Sequence, residues 1–229
     1  MGAELIDRCL DGGGLWVQPL CQATYCRGRP ALFLDRDGAV VEEVNYLHRP
    51  QDVRLITGAT EIVRRANQAN VPVILITNQA GIGRSYYTWA HFVEVQERLI
   101  EEMAADDARI DAVFACPHHA DARPPYRHPD HPARKPNPGM LLLARDRLGV
   151  VLQRSWIVGD RAIDVRAGRN AGLAGATHVS TGHGARESER ETALALATPS
   201  FPVHAADSIA ALMTDPVPFD GALVSVQRR

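Results

Sequence analysis

Lysine is nearly missing from this chain of 229 residues: of its 25 basic residues one, Lys135, is a lysine and the rest are arginines. A basic excess is missing too, since 27 acidic residues leave a formal charge of −2. Without a basic stripe there is no electrostatic footprint for nucleic acid or an anionic membrane surface, and neither is expected as a partner. Cysteine is scarce, with four in all, three of which (Cys9, Cys21 and Cys26) lie near the start of the chain. That count excludes a disulfide scaffold and fits the reduced thiols of a cytoplasmic protein. The opening MGAELIDRCLDGGG has acids and glycines where a secretory leader needs a basic end and an apolar run. No apolar run approaches the length of a membrane span.

What is present is ordinary for a globular protein: 45% apolar and 23% charged residues in 25.0 kDa, enough for one core. Short apolar runs recur at ALFLD (31–35), VPVILIT (71–77), IDAVFAC (110–116), SWIVGD (155–160), ATHVS (176–180) and FPVHA (201–205). VPVILIT is apolar on both faces, as a central parallel strand should be. Helical patterns lie between them, over 59–70, 88–105, 138–149 and 162–172, two of them closing on glycine. The alternation predicts a doubly wound, mainly parallel α/β sheet in a single domain over 30–215. Residues 1–29 read as a glycine-rich leader packed on or trailing from it, and 216–229 as a tail.

In such sheets ligands bind beyond the carboxyl ends of the strands. Three strands end in pointed chemistry: Asp35-Arg36-Asp37-Gly38, Thr77-Asn78-Gln79, and Gly159-Asp160 with Asp164 following. Lys135 stands just before a helix. Singly, each has an ordinary explanation as a turn, a cap or a solvated charge. Jointly, carboxylates converging on one sheet edge repel each other unless cations offset them. A lysine and a hard divalent ion are the natural offsets, and substrate phosphate completes the shell that Mg²⁺ prefers. The constellation therefore reads as a magnesium-assisted phosphoryl site.

The order of these motifs resembles the haloacid dehalogenase (HAD) superfamily of phosphatases, over roughly residues 30 to 182. FLDRDG, TNQAGIGR, CPHH, RKPNPGM and IVGD are similar to the subgroup that includes heptose-bisphosphate and histidinol-phosphate phosphatases. One departure is Ala39, where Thr or Val is common in this subgroup. The resemblance implies Asp35 as nucleophile, forming an aspartyl-phosphate, and Asp37 as general acid and then base. It also implies Mg²⁺ held by Asp35, the Asp37 carbonyl and Asp160. Thr77 would hold phosphoryl oxygens, Lys135 would balance charge, and Asp164 would orient Lys135 or a metal-bound water.

The gap from Gly38 to Gly58 is too short for a cap domain, so loops are expected to set specificity. Arg84 and Arg134 are candidates to grip a second phosphate, with Arg84 equally readable as a surface arginine. Asn45, Tyr46, His48 and Asn78 are candidate pocket residues. In the subgroup the loop before Lys135 holds structural zinc through Cys-x-His and Cys-x-Cys pairs. Here Cys116 and His118 match the first pair, but the second reads His131-Pro132-Ala133 and the fourth ligand is gone. Structural zinc is nearly always four-coordinate, so the count favours a loop stiffened by its prolines without metal. His119, His128 or Asp130 would have to complete a zinc set.

The expected activity is Mg²⁺-dependent hydrolysis of a small phosphate ester by a monomer. A heptose 1,7-bisphosphate is the leading substrate, with histidinol phosphate close behind. A phosphate-binding protein on the same fold is the non-enzyme rival. It predicts a missing acid or lysine, and none is missing.

Overall fold

The computed structural model describes residues 2–213. Seven strands form one sheet: β1 (Trp16–Pro19), β2 (Leu32–Leu34), β3 (Val73–Asn78), β4 (Ala112–Cys116), β5 (Trp156–Gly159), β6 (Gly175–Val179) and β7 (Val203–Ala206). Their order is β1-β4-β3-β2-β5-β6-β7, and every pair is parallel except β1 with β4. Successive strands step outward from β2 to β4 on one side, and from β5 to β7 on the other. The winding therefore reverses between β2 and β5, which opens a crevice beyond their carboxyl ends.

Period-two side-chain alternation divides the central strands between two cores. Leu32, Leu34, Leu75 and Val158 join one apolar cluster, and Phe33, Ile74, Ile76 and Ile157 join the other. Helices Ala59–Gln68 and Trp89–Ala105 supply side chains to the first cluster, and helices Gly139–Leu148 and Ala162–Ala171 to the second. All four match the helical patterns of the sequence to within about two residues. The 59–70 pattern ends earliest, at Gln68. Thr88 opens its helix as expected, its backbone N–H donating to His91 Nδ1. The last predicted unit is strand β7 followed by a 3-10 turn, Ile209–Met213. Positions 214 and 215 and the tail 216–229 lie outside the described residues. Among the described residues no cap domain interrupts the sheet, and no helix is long and apolar enough to cross a membrane.

One correction concerns where the sheet begins. The sequence pattern starts it at residue 31, yet Trp16–Pro19 from the leader pairs with β4 as an antiparallel edge strand. The segment WVQP ends in glutamine and proline and lacks the apolar, β-branched run that marks the other strands, as suits an edge strand. Trp16 is 1% exposed, stacked 5.4 Å from the Trp89 ring and edge-on to Phe92. Its indole N–H donates to Gln18 Oε1 at 3.1 Å. Trp16→Ala should lower unfolding free energy by about 3–5 kcal/mol in urea titrations, the usual cost of emptying a buried tryptophan site. A loss under about 1 kcal/mol would mean that the segment merely rests on the domain.

Candidate active site

The switch point sets Asp35, one residue past β2, beside Asp160, one residue past β5. Pairing of Leu34 with Val158 fixes that register, and Asp35 N–H donates to Val158 O at 2.9 Å. Lys135 reaches the same point from the loop before helix Gly139–Leu148. Its ammonium, 3% exposed, has three acceptors: Asp35 Oδ1 at 2.6 Å, Asp164 Oδ1 at 2.7 Å and the Ile76 carbonyl at 3.0 Å. Asp164 is in contact with Lys135, one of the two partners expected for it. Its other oxygen accepts from Arg161 N–H at 3.0 Å, at the start of helix Ala162–Ala171.

Ligand oxygens of Asp35, Asp160 and Asp164 all lie within 4.8 Å of one another. Burial pushes the Asp35 carboxyl up to about 7 despite the Lys135 ammonium beside it. Burial, and then the like charges of Asp35 and Asp164, push Asp160 up to about 9. Burial opposes the charged form of Lys135 as well, but Asp164 and Asp35 outweigh it and raise its pKa. Asp160 Oδ2 accepts from His183 N–H at 2.7 Å, whereas its Oδ1 is buried without a partner. An all-oxygen cluster with an orphaned carboxylate oxygen and one ammonium against three acids fits a hard divalent cation. Gly38, at φ +88°, makes the approach possible: a Cβ there would sit 2.2 Å from Asp160 Oδ2. Ala39 is fully buried in the apolar core, so its departure from Thr or Val touches packing and not these oxygens.

Asp37, Glu43, Asn78, Arg161 and His183 line both this pocket and an adjoining cavity of about 290 Å³. Arg84, Arg134, Tyr46 and Asn45 line the larger cavity. Arg84 is thereby a cavity residue, with Nη1 donating to the Tyr46 hydroxyl and Nη2 lying 3.2 Å from His119 Nε2. Arg134 Nη1 donates to the His118 carbonyl at 3.1 Å. Two pocket expectations change. His48 is not a lining residue: its Nδ1 lies 2.7 Å from the Tyr46 carbonyl and its ring stacks on Tyr87. Asn78 lines the site, but both ends of its amide engage the Lys135 main chain at 3.1 Å. It positions the lysine and has less capacity left for substrate. Glu43, Arg161 and His183 were not singled out from sequence. Arg161 sits inside the GDRAID motif and was legible there, whereas Glu43 and His183 come from separate loops with no shared signal.

The histidine-rich loop gathers on one side. The His118 and His131 rings stack 3.8 Å apart at 2°, with His128 edge-on to His131. Cys116 Sγ lies 3.9 Å from His131 Nδ1. Part of their capacity is used within the protein: His118 Nε2 donates to Gly13 O at 2.9 Å and His131 Nδ1 accepts from Ala133 N–H at 3.1 Å, while His118 Nδ1 is buried without a partner. Burial drives the Cys116 thiol up to about 11 and His131 down to about 4.

Paired aspartates, a strand-end threonine and a buried lysine at the switch point of a parallel sheet define a phosphoryl-transfer enzyme of the HAD type. The HAD-hydrolase-like family model matches residues 132–212. A D-glycero-beta-D-manno-heptose-1,7-bisphosphate 7-phosphatase of Mesorhizobium japonicum is 42% identical over 161 residues, 70% of this chain and 74% of that protein. The chain belongs to this family of HAD-like phosphatases. A solved structure from Mesorhizobium loti, described as a HAD-like phosphatase, superposes with TM-score 0.79 at 34% identity, covering 96% of each chain. A D,D-heptose 1,7-bisphosphate phosphatase of B. bronchiseptica, complexed with magnesium and phosphate, superposes with TM-score 0.68 at 28% identity. It covers 86% of this chain and 99% of its own.

Proposed function

We propose that this enzyme removes the 7-phosphate of D-glycero-D-manno-heptose 1,7-bisphosphate through an aspartyl-phosphate on Asp35. The observation that carries the chemistry is the Asp35–Lys135–Asp164 chain beside Asp160. The sugar is supported by the 42% identical relative of that activity. Asp35 attacks phosphorus, and Asp37 gives its proton to the sugar oxygen as the P–O bond breaks. Asp37 then takes a proton from water, which attacks the aspartyl-phosphate and returns Asp35 to its carboxylate. Lys135, fixed by Asp164 and by Asn78 on its main chain, favours the ionised form of Asp35 against burial, in part, and balances the phosphoryl charge. Thr77 lies beside the phosphoryl position.

Mg²⁺, held by Asp35, Asp160 and the Asp37 carbonyl, would supply Lewis-acid stabilisation of the phosphoryl oxygens and lower the carboxyl pKa values. Arg84 and Arg134, across the cavity, would hold the phosphate that stays on the sugar, with Tyr46 beside them. We propose a cytoplasmic monomer acting on a diffusible ester; the near-balanced charge gives it no electrostatic footprint for nucleic acid or an anionic membrane.

Purified enzyme with Mg²⁺ should hydrolyse the heptose bisphosphate with kcat/KM at least roughly tenfold above histidinol phosphate and other monoesters, the scale of one lost charged contact. EDTA should abolish the rate and Mg²⁺ restore it. A preference for histidinol phosphate would overturn the substrate, and metal-independent turnover would overturn the site.

A further inference from the structure

Asp37 is held by a cage in which none of the other residues but Thr77 belongs to the machinery above. Arg36, between the two aspartates, is 1% exposed and turns inward, its guanidinium carbon 5.4 Å from the Phe92 ring centroid. Its Nε lies 3.1 Å from both Asp37 oxygens, and its Nη2 lies 2.9 Å from Oδ1. Gln79 Nε2 donates to Asp37 Oδ2 at 3.1 Å and to Thr77 Oγ1 at 2.7 Å. The Tyr87 hydroxyl donates to Gln79 Oε1, which fixes the direction of the amide. Tyr87 is itself buried and stacked on His48. Thr77 Oγ1 completes the set at 3.4 Å, the loosest contact.

Packing does not call for this arginine. Its Nη1 is buried without a partner, an arrangement that an apolar side chain beside Phe92 would avoid. Among the described residues the guanidinium's one ionic partner is Asp37. A planar fork that grips both oxygens sets the plane of a carboxylate, which a lysine cannot do.

We propose that Arg36 is a positioning residue for Asp37, with Gln79 and Tyr87 as the second arm of the same clamp. The inference rests on Asp37 acting as the general acid. In the first half-reaction the Asp35–phosphorus bond forms, the bond from phosphorus to the leaving oxygen breaks, and the proton on Asp37 moves to that oxygen. The transfer is efficient only if the carboxyl is aimed at the leaving oxygen when the bond breaks. The clamp supplies that aim. Turning the Thr77 hydroxyl toward the phosphoryl group removes the loosest of the three donors on Oδ2.

The test compares leaving groups. Sugar alkoxide is a poor leaving group and needs the proton, whereas p-nitrophenolate needs little of it. For Arg36→Gln, kcat/KM, which covers steps only up to departure of the leaving group, should fall about 10- to 100-fold on the heptose bisphosphate. It should fall less than about threefold on p-nitrophenyl phosphate. Tyr87→Phe removes one buried oxygen and should show the same asymmetry at smaller size. It decides the matter if Arg36→Gln does not fold. Equal losses on both esters, or none on either, would overturn the proposal. Asp37→Asn is the control. If it shows the asymmetry and the clamp variants do not, the clamp alone is refuted. If Asp37→Asn lacks it, the reading of Asp37 as the acid falls as well.

Discussion

Asp35→Asn should reduce turnover by roughly 10⁴-fold or more, the scale seen when a nucleophile is removed from a concerted site. The amide is nearly isosteric, so packing around the residue is unchanged, but it lacks the anionic oxygen that attacks phosphorus. Stability should hold or rise. The substitution removes one of three acids crowded within 4.8 Å, and Lys135 keeps Asp164 at 2.7 Å. A melting temperature equal to or above that of the wild type, with no phosphate release, is the expected pair of results. Mass spectrometry of acid-quenched enzyme should find a phosphoryl adduct on the wild type and none on the variant. Substantial phosphatase activity in Asp35→Asn would rule out covalent catalysis.

Lys135→Arg tests shape with charge held constant. The three N–H donors of the ammonium meet three acceptors, the Asp35 and Asp164 carboxylates and the Ile76 carbonyl, at 2.6, 2.7 and 3.0 Å. The Asn78 amide clamps the main chain that delivers it. A guanidinium is longer, flat and forked, and in a site 3% exposed it has no room to present single donors in three directions. It would push Asp35 out of line, and displacement of a reacting group by about 1 Å costs on the order of a hundredfold. We expect kcat to fall at least about a hundredfold and the melting temperature to drop, with formal charge unchanged. Activity within about twofold of wild type would show that the site needs only a positive charge there.

The near-absence of lysine acquires meaning at this site, where an arginine and the one lysine each hold carboxylates. Arg36 grips one carboxylate in its plane, while Lys135 bridges two carboxylates and a carbonyl as a point donor. The motif residues were legible because their chemistry is unusual in combination, whatever the fold does around them. Roles that depend on what a side chain touches were not legible. Asn78 faces the Lys135 main chain and His48 stacks on Tyr87, and neither contact leaves a periodic trace. Arg36 sat in plain view inside the first motif, but only the position of Phe92, 56 residues on, turns it inward onto Asp37.

The sequence alone was enough to place strands β2 to β7, the four helices that pack on the sheet, the glycine that closes helix Gly139–Leu148 in a left-handed conformation, and the acids and lysine of the site. Those features follow from local periodicity, backbone preference and side-chain chemistry, all of which act within a few residues. That β2 and β5 are neighbours, that the leader supplies the edge strand beside β4, and that Asp37 is caged are visible only in the assembled fold. Strand neighbours are chosen by which apolar faces bury together, so partners distant along the chain meet only when the whole sheet has assembled. The acid cluster exists because that assembly brings Asp35 and Asp160 to one crevice, and no stretch of sequence contains both ends of the distance.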